Sequence, residues 1–253
     1  MNYTIKKYKD GQISAKIEGE GDLLVNIRGN SYEDLFQVAA IKDAWDANRL
    51  RHKFHTSTLN IYCLIGQRSD RRFHENESFD LRIIAKFING LNFDQVNILH
   101  PHSDTALALI ENSQCISHYE FVAKAYRSIG SPVLISPDAG AYKESHALAV
   151  KLRAQLIPAN KVRVDGKPNL IIQGNVAGLD CLIVDDLADG GRTFIALAKE
   201  LKKQGAQKVY LYVTHGQFSF GFEELKENIE HIFCTNSFRL IKDAFVTQYE
   251  VFK

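Results

Sequence analysis

The sequence predicts an α/β fold with mainly parallel sheets flanked by helices. Three observations lead there. Short apolar runs alternate along most of the chain with segments of helical period, the pattern of strand–helix–strand units. Polar clusters follow the apolar runs at Arg68–Arg72, His100–Asp104, Asp138–Ala141, Asp185–Thr193 and Thr214–Ser219, and in such sheets ligands bind beyond the C-terminal ends of the strands. Finally, Leu182-Ile-Val runs into Asp185-Asp186-Leu-Ala-Asp189-Gly190-Gly191-Arg192-Thr193-Phe194, and the helical period from Ile195 ends at Gly205. This reads as a buried parallel strand, a tight loop and a helix N-terminus.

Taken in order, residues 1–30 read as strands at Tyr3–Ile5, Ile13–Ile17 and Leu23–Ile27, with turns at Asp10-Gly11 and Gly19–Gly21. Ser31 and Asp34 form a helix-capping pair ahead of Leu35, Val38, Ala39, Ile41 and Ala44. An apolar strand is expected at Leu59–Ile65, a helix from about Ser78 to Ile88 stopping at Gly90, and a strand at Val96–Leu99. Val133–Ile135 and Gln155–Pro158 read as strands around a helix at Ser145–Leu152, and Val209–Val213 follows the central motif. Such alternation predicts helices on both sides of the sheet. The segment Asn160–Pro168, with valines among Lys, Arg, Asp and Gly, reads as a mobile loop.

Composition sets the class. At 253 residues, 45% hydrophobic and 24% charged, the chain has the make-up of a globular protein with ample core. Its net charge of +1 gives no electrostatic ground for nucleic acid or an acidic membrane surface. The cysteines, Cys63, Cys115, Cys181 and Cys234, are scattered, so neither a disulfide framework nor structural zinc is expected and the cytoplasm is the expected compartment. No apolar run is long enough for a bilayer, and the N-terminal residues lack an apolar leader.

The central stretch carries the chemistry. It has neither the G-x-x-x-x-G-K-[ST] nor the G-x-G-x-x-G spacing. Backbone N–H groups at such a turn bind phosphate with help from the helix dipole. Asp185 and Asp186 can accept hydrogen bonds from a vicinal diol or hold a divalent metal. Adjacent ionised carboxylates at a strand end repel unless something binds them, which argues against solvated surface acids.

These residues resemble the ribose-phosphate signature of phosphoribosyltransferases, and the whole set, from about Tyr8 to Asn236, resembles the ribose-phosphate diphosphokinase family. Tyr8-Lys9-Asp10-Gly11-Gln12 is similar to that family's Phe-x-Asp-Gly-Glu, which reaches a neighbouring subunit's ATP. Arg68-Ser69-Asp70-Arg71 is similar to its ATP-contacting Arg-Gln-Asp-Arg, and His102-Ser103 to the His-Ser at the ATP phosphates and metal. Ser136-Pro137-Asp138-Ala139-Gly140-Ala141 resembles the loop where diphosphate and a metal sit. Lys161-Val-Arg163 lies where the family has a mobile Lys-x-Arg loop, and Thr214-His215-Gly216 and Thr235-Asn236 match two further signatures. The resemblance implies two phosphoribosyltransferase-like domains, 1–130 and 131–253. It implies ATP and a ribose phosphate as substrates, Mg²⁺ held with His102 and Asp138, AMP as product, and a homo-oligomer, dimer or hexamer, with a shared ATP site. Lys161, Arg163 and His102 are the implied catalytic residues. Tyr8, Asp10, Gln12, Arg68, Asp70, Arg71 and His102 are implied to bind ATP. Asp138, Ala139, Gly140 and Ala141 would form the diphosphate loop, and Asp185, Asp186, Asp189, Gly190, Gly191, Arg192 and Thr193 would hold the ribose phosphate. The competing readings are a solvated loop for Lys161 and Arg163, a capping or core histidine for His102, and a strand-end role for His215.

The chain departs from the family at several of these places. His100-Pro101-His102 replaces Asp-Leu-His, Gln12 a glutamate, Ala141 a glycine, and Asp189-Gly190-Gly191-Arg192-Thr193 stands for Asp-Thr-Ala-Gly-Thr. Two glycines open the phosphate nest, and Arg192 can engage a second phosphate bidentately. The acceptor is then either ribose 5-phosphate or a 5-extended ribose such as ADP-ribose, with a role in nucleotide synthesis or NAD salvage. A phosphoribosyltransferase consuming phosphoribosyl pyrophosphate and a catalytically silent regulatory subunit are the other classes considered.

Overall fold

The computed structural model describes residues 1–47, 54–72, 74–164 and 167–252, with backbone only at 161–164 and 167–169. The chain divides into two units, Met1–Ser117 with Phe252, and His118–Val251.

The first unit begins with an antiparallel hairpin of β1 (Asn2–Lys7) and β2 (Ile13–Glu18). There follow β3 (Leu23–Ile27), α1 (Tyr32–Asp46), β4 (Ser57–Ile61), α2 (Asp80–Gly90), β5 (Gln95–Leu99), α3 (Asp104–Leu109) and β6 (Ser113–Ile116). The last four strands make a parallel sheet in the order β3-β4-β5-β6. Helix α1 starts as expected, with the Ser31 hydroxyl accepting the Asp34 N–H at 3.1 Å. Alternate residues of the strands, among them Val25, Leu59, Ile61, Val96 and Ile98, are buried with Leu35, Val38, Leu81, Ile84 and Ile88 of α1 and α2. The opposite face carries a row of amides in register: Asn60 donates to Asn26, Asn97 to Asn60 and Gln114 to Asn97, each at 2.7 Å. The alternation predicts helix cover on both faces; among the described residues of this unit, α1 and α2 pack on the apolar face, and the amide row lies on the other. The strand expected at Leu59–Ile65 ends at Ile61, because the N–H groups of Tyr62, Cys63 and Ile65 turn to the carbonyls of Ile27, Arg28 and Gly29.

The second unit comprises α4 (Tyr119–Ile129), β7 (Val133–Ser136), α5 (Tyr142–Leu152), β8 (Leu156–Val164), β9 (Lys167–Ile172), β10 (Asp180–Ala188), α6 (Arg192–Lys203), β11 (Lys208–Gly216), α7 (Glu223–Lys226), β12 (His231–Thr235) and β13 (Val246–Tyr249). Its sheet runs β13-β12-β11-β10-β7-β8-β9, parallel throughout except for β9 against β8. Here both faces are covered. Ile135, Ile183, Leu211 and Val213 pack with Phe194, Leu197, Ala198 and Leu201 of α6. Leu134, Leu182, Val184 and Tyr212 pack with Val122, Ala125 and Tyr126 of α4 and Leu148 of α5. A boundary at 130/131 would cut α4 from the sheet on which it buries its apolar face.

Two expectations are corrected. Of the segment expected to be a loop at 160–168, the described residues 160–164 and 167–168 lie on β8 and β9, which pair antiparallel with Lys161 opposite Leu170 and Arg163 opposite Pro168. Their alternation of Val162 and Val164 with polar residues suits a strand once β8 extends beyond Pro158. Strand β10 does not end at Val184 but continues through Asp185 and Asp186 to Ala188, paired along its length with β11, which is equally long.

Candidate active site

In the second unit, β10 and α6 present the acidic pair and the glycine loop. Asp185 and Asp186 are half-buried, and the Asp186 N–H donates to Asp185 Oδ1 at 2.9 Å. Burial first, then the neighbouring Asp186 and Asp138 carboxylates, push the Asp185 carboxyl up to about 8. A carboxylate in this state is stabilised by any hydroxyl donor or cation that replaces the lost water.

Gly191 caps α6 at φ +76°, a left-handed conformation that favours glycine. It has no side chain to occupy the first N–H groups of the helix, which have no intrahelical acceptor. The loop is braced from the end of β11. Gln217 and Phe218 N–H groups donate to the Ala188 carbonyl, and the Ser219 N–H to that of Asp189. The Ser219 hydroxyl donates to Asp189 Oδ1 at 2.6 Å and accepts from Gln217 Nε2 at 2.7 Å. Asp189 is thus tied to the scaffold by its side chain. Arg192 and Thr193 are exposed on the first turn of α6, and the Arg192 guanidinium lies 5.2 Å from the centre of the Phe220 ring.

The Asp138–Ala141 loop joins β7 to α5. The Asp138 carboxylate accepts the Ala141 N–H at 2.9 Å, and the buried Ser136 hydroxyl donates to the Asp138 carbonyl at 3.0 Å. Asp138, Ala139 and Gly140 are exposed. The Asp138 oxygen set suits a hard cation that keeps several waters; the imidazole of His102 suits it less well. Lys161 and Arg163 lie on β8, and their side chains fall outside the described residues.

In the first unit, the expected ATP residues Arg68, Asp70, Arg71 and His102 fall on the polar ends of two strand connections. Asp70 is buried, and Arg71 donates to both its oxygens, at 2.9 and 3.1 Å. Arg71 foremost, with Ser103 and His102 adding to the effect, holds the Asp70 carboxyl below its usual range. The His102 N–H donates to Oε1 of the buried Gln67 at 3.1 Å, while its side chain is exposed. His100 is buried at φ +40°. Tyr8, Asp10 and Gln12 form the tip of the β1–β2 hairpin, where Asp10 accepts the Gln12 N–H at 3.0 Å. Their side chains are exposed there, with Lys6 Nζ 4.4 Å from the centre of the Tyr8 ring.

One site feature was not evident in the residues, and a second settles between two readings. Phe220, 70% exposed beside the glycine loop, has the same residue type as Phe218, which is 2% exposed. His215 is fully buried, its Nδ1 2.9 Å from the Ser237 hydroxyl at the end of β11.

This arrangement has known relatives. Residues 136–243 match the phosphoribosyl synthetase-associated domain. The ribose-phosphate pyrophosphokinase of Pyrococcus furiosus is 27% identical over 244 residues, covering 93% of this chain and 86% of its own length. That of Mycoplasma genitalium is 30% identical over 238 residues, covering 89% of this chain and 69% of its own. The chain belongs to the ribose-phosphate pyrophosphokinase family. Its fold is also that of the phosphoribosylpyrophosphate synthetase from Mycobacterium smegmatis, with a TM-score of 0.83, 19% identity and coverage of 99% of this chain and 86% of the other. It is accordingly a transferase of the ribose-phosphate pyrophosphokinase type, built on the phosphoribosyltransferase fold. No helix among the described residues is long and apolar enough to cross a membrane.

Proposed function

We propose that the chain transfers the β,γ-diphosphate of ATP to the 1-hydroxyl of a 5-phosphorylated ribose, with Mg²⁺, releasing AMP. The observation that carries this is the acidic pair Asp185–Asp186 set three residues before a glycine loop whose helix start has no side-chain cap, within a chain of this family. The sugar diol donates to the pair, which relieves the carboxylate repulsion, and the loop N–H groups at 190–193 take the 5-phosphate. The sugar 1-oxygen attacks the β-phosphorus, the bond from that phosphorus to the α-bridging oxygen breaks, and AMP departs with that oxygen. The hydroxyl proton passes to solvent.

Asp138, with its exposed carboxylate, would hold Mg²⁺, which supplies charge neutralisation to the diphosphate. His102 serves this reading as a donor to the ATP phosphates, beside Arg68, Asp70 and Arg71, more readily than as a ligand. Lys161 and Arg163 bring positive charge to the transferring group; such clamps are worth on the order of 10³–10⁵ in rate in related transfers. Tyr8, Asp10 and Gln12, exposed on the hairpin tip, complete the ATP site of a second copy in this reading, so the active unit is at least a dimer.

The glycine loop favours a 5-extended acceptor such as ADP-ribose beside ribose 5-phosphate, because Arg192 stands exposed past the loop where a second phosphate would lie. An acceptor panel with ATP and Mg²⁺, read as AMP formation, tests the whole reading. AMP with ribose 5-phosphate or ADP-ribose, and none without Mg²⁺ or acceptor, is expected. Pyrophosphate release from phosphoribosyl pyrophosphate with a base, in the absence of ATP, would instead place the chain among the phosphoribosyltransferases.

A further inference from the structure

Beside the glycine loop lies a hollow of about 260 Å³ whose lining includes Phe220, Arg192, Ile195, Leu225, Glu223 and Glu224. Its parts differ in chemistry. Ile195 and Leu225 are buried and apolar, Glu223 and Glu224 are exposed carboxylates, and Arg192 stands at the end nearest the loop. Phe220 is 70% exposed, although an aromatic ring gains most by burial. The ring is nonetheless placed: the guanidinium of Arg192 lies 5.2 Å from its centre, and Ser219, next in the chain, is bound to Asp189. A carbon added at Gly190 would stand 2.7 Å from Phe220 Cε2, so the ring occupies the space that a side chain at 190 would need. Glycine at 190 thus makes room for the phenyl ring as much as for a phosphate.

We infer that this hollow is a nucleoside subsite for the acceptor's 5-substituent, with Phe220 as its specificity-determining residue. The inference rests on the reading that loop 189–193 holds the 5-phosphate. Next along the acceptor, a second phosphate meets Arg192. The base stacks on the open part of the Phe220 ring, and the second ribose offers its diol to Glu224, since carboxylates only accept and Glu223 is paired with Lys226 at 3.5 Å. Charge fixes the direction: Glu224 repels a phosphate and Arg192 attracts one, so the neutral part of the molecule goes to the glutamate. The volume admits a nucleoside-sized group.

The test uses the full chain with Phe220→Trp, Phe220→Tyr and Phe220→Ala. The sequence contains a single tryptophan, Trp45, buried in the first unit's core, so emission from Phe220→Trp stands on a constant background. ADP-ribose should quench that emission saturably, and ribose 5-phosphate should not. Phe220→Ala should lower kcat/KM for ADP-ribose about tenfold or more relative to that for ribose 5-phosphate, while Phe220→Tyr keeps the wild-type ratio. No quenching by ADP-ribose, or an equal loss for both acceptors, overturns the subsite even where the wild type forms AMP from ADP-ribose. Quenching without any AMP from ADP-ribose leaves the subsite standing and removes the extended acceptor from the proposed function.

Discussion

Asp185 shows how a single carboxyl can report the state of the site. Its raised folded value means that the folded chain binds a proton the unfolded chain has lost between about pH 4 and 8. The sign follows: the native state holds more protons there, so this group makes stability fall as pH rises through that window. Asp185→Asn should therefore raise the Tm of the ligand-free chain at pH 8 by about 2–4 °C, the shift that ~1 kcal/mol produces at this length, and should flatten its pH dependence, while AMP formation is lost. Thermal melts from pH 5 to 8 check it; a lower Tm at pH 8 would refute the charge argument. Gly191 gives a second residue-scale prediction. Its φ of +76° and the 3.2 Å between an added carbon and Leu225 Cδ2 make Gly191→Ala destabilising by about 1–2 kcal/mol, measurable by urea unfolding. These constraints were partly legible. Two adjacent aspartates after an apolar run made the acidic pair conspicuous, whereas nothing in Phe218-Ser-Phe220 tells which phenylalanine is buried, because both are the same residue in the same polar stretch.

Among the elements, helix starts were read best where the side chain itself makes the cap. Ser31 bonds the Asp34 N–H, and Ser31→Ala should cost about 1 kcal/mol, read as a lower urea midpoint with an unchanged slope. Strand ends were read worst. Strand β10 runs four residues past Val184 because β11 continues beside it to Gly216, and a pairing partner distant in sequence leaves no local sign. The same holds for β8 and β9: Pro158 and Pro168 lie on the two strands, and the sequence between the strands is Asp165-Gly166, so the local sequence argues for a loop. Pro158 is tolerated in β8, where it lies in register with Ser136.

At the scale of the molecule, each unit carries its own core, the first on one face of its sheet and the second on both. Leu182 is fully buried under α4 and α5, and Leu182→Ala should cost about 2–5 kcal/mol. Because that side chain belongs to the second unit's core, hydrogen exchange should quicken across residues 118–251 while the amides of β3–β5 keep their protection. Equal loss in both units would show that they open as one. The burial that makes β10 a near-continuous apolar run is what made it conspicuous in the sequence. The amide row Asn26, Asn60, Asn97 and Gln114 is the contrary case: its members lie far apart in the chain, and only strand register brings them together.

The order of residues alone determined the α/β class, the strand–loop–helix at 182–194 and the family, because apolar period, turn chemistry and motif spacing are local properties. The tertiary structure decided how far the strands extend, which face of each sheet is covered, that His215 is buried and Phe220 exposed, and what stands against Gly190. Those depend on pairing and packing between segments separated by tens of residues, where the same local sequence is compatible with either outcome until its partner is in place.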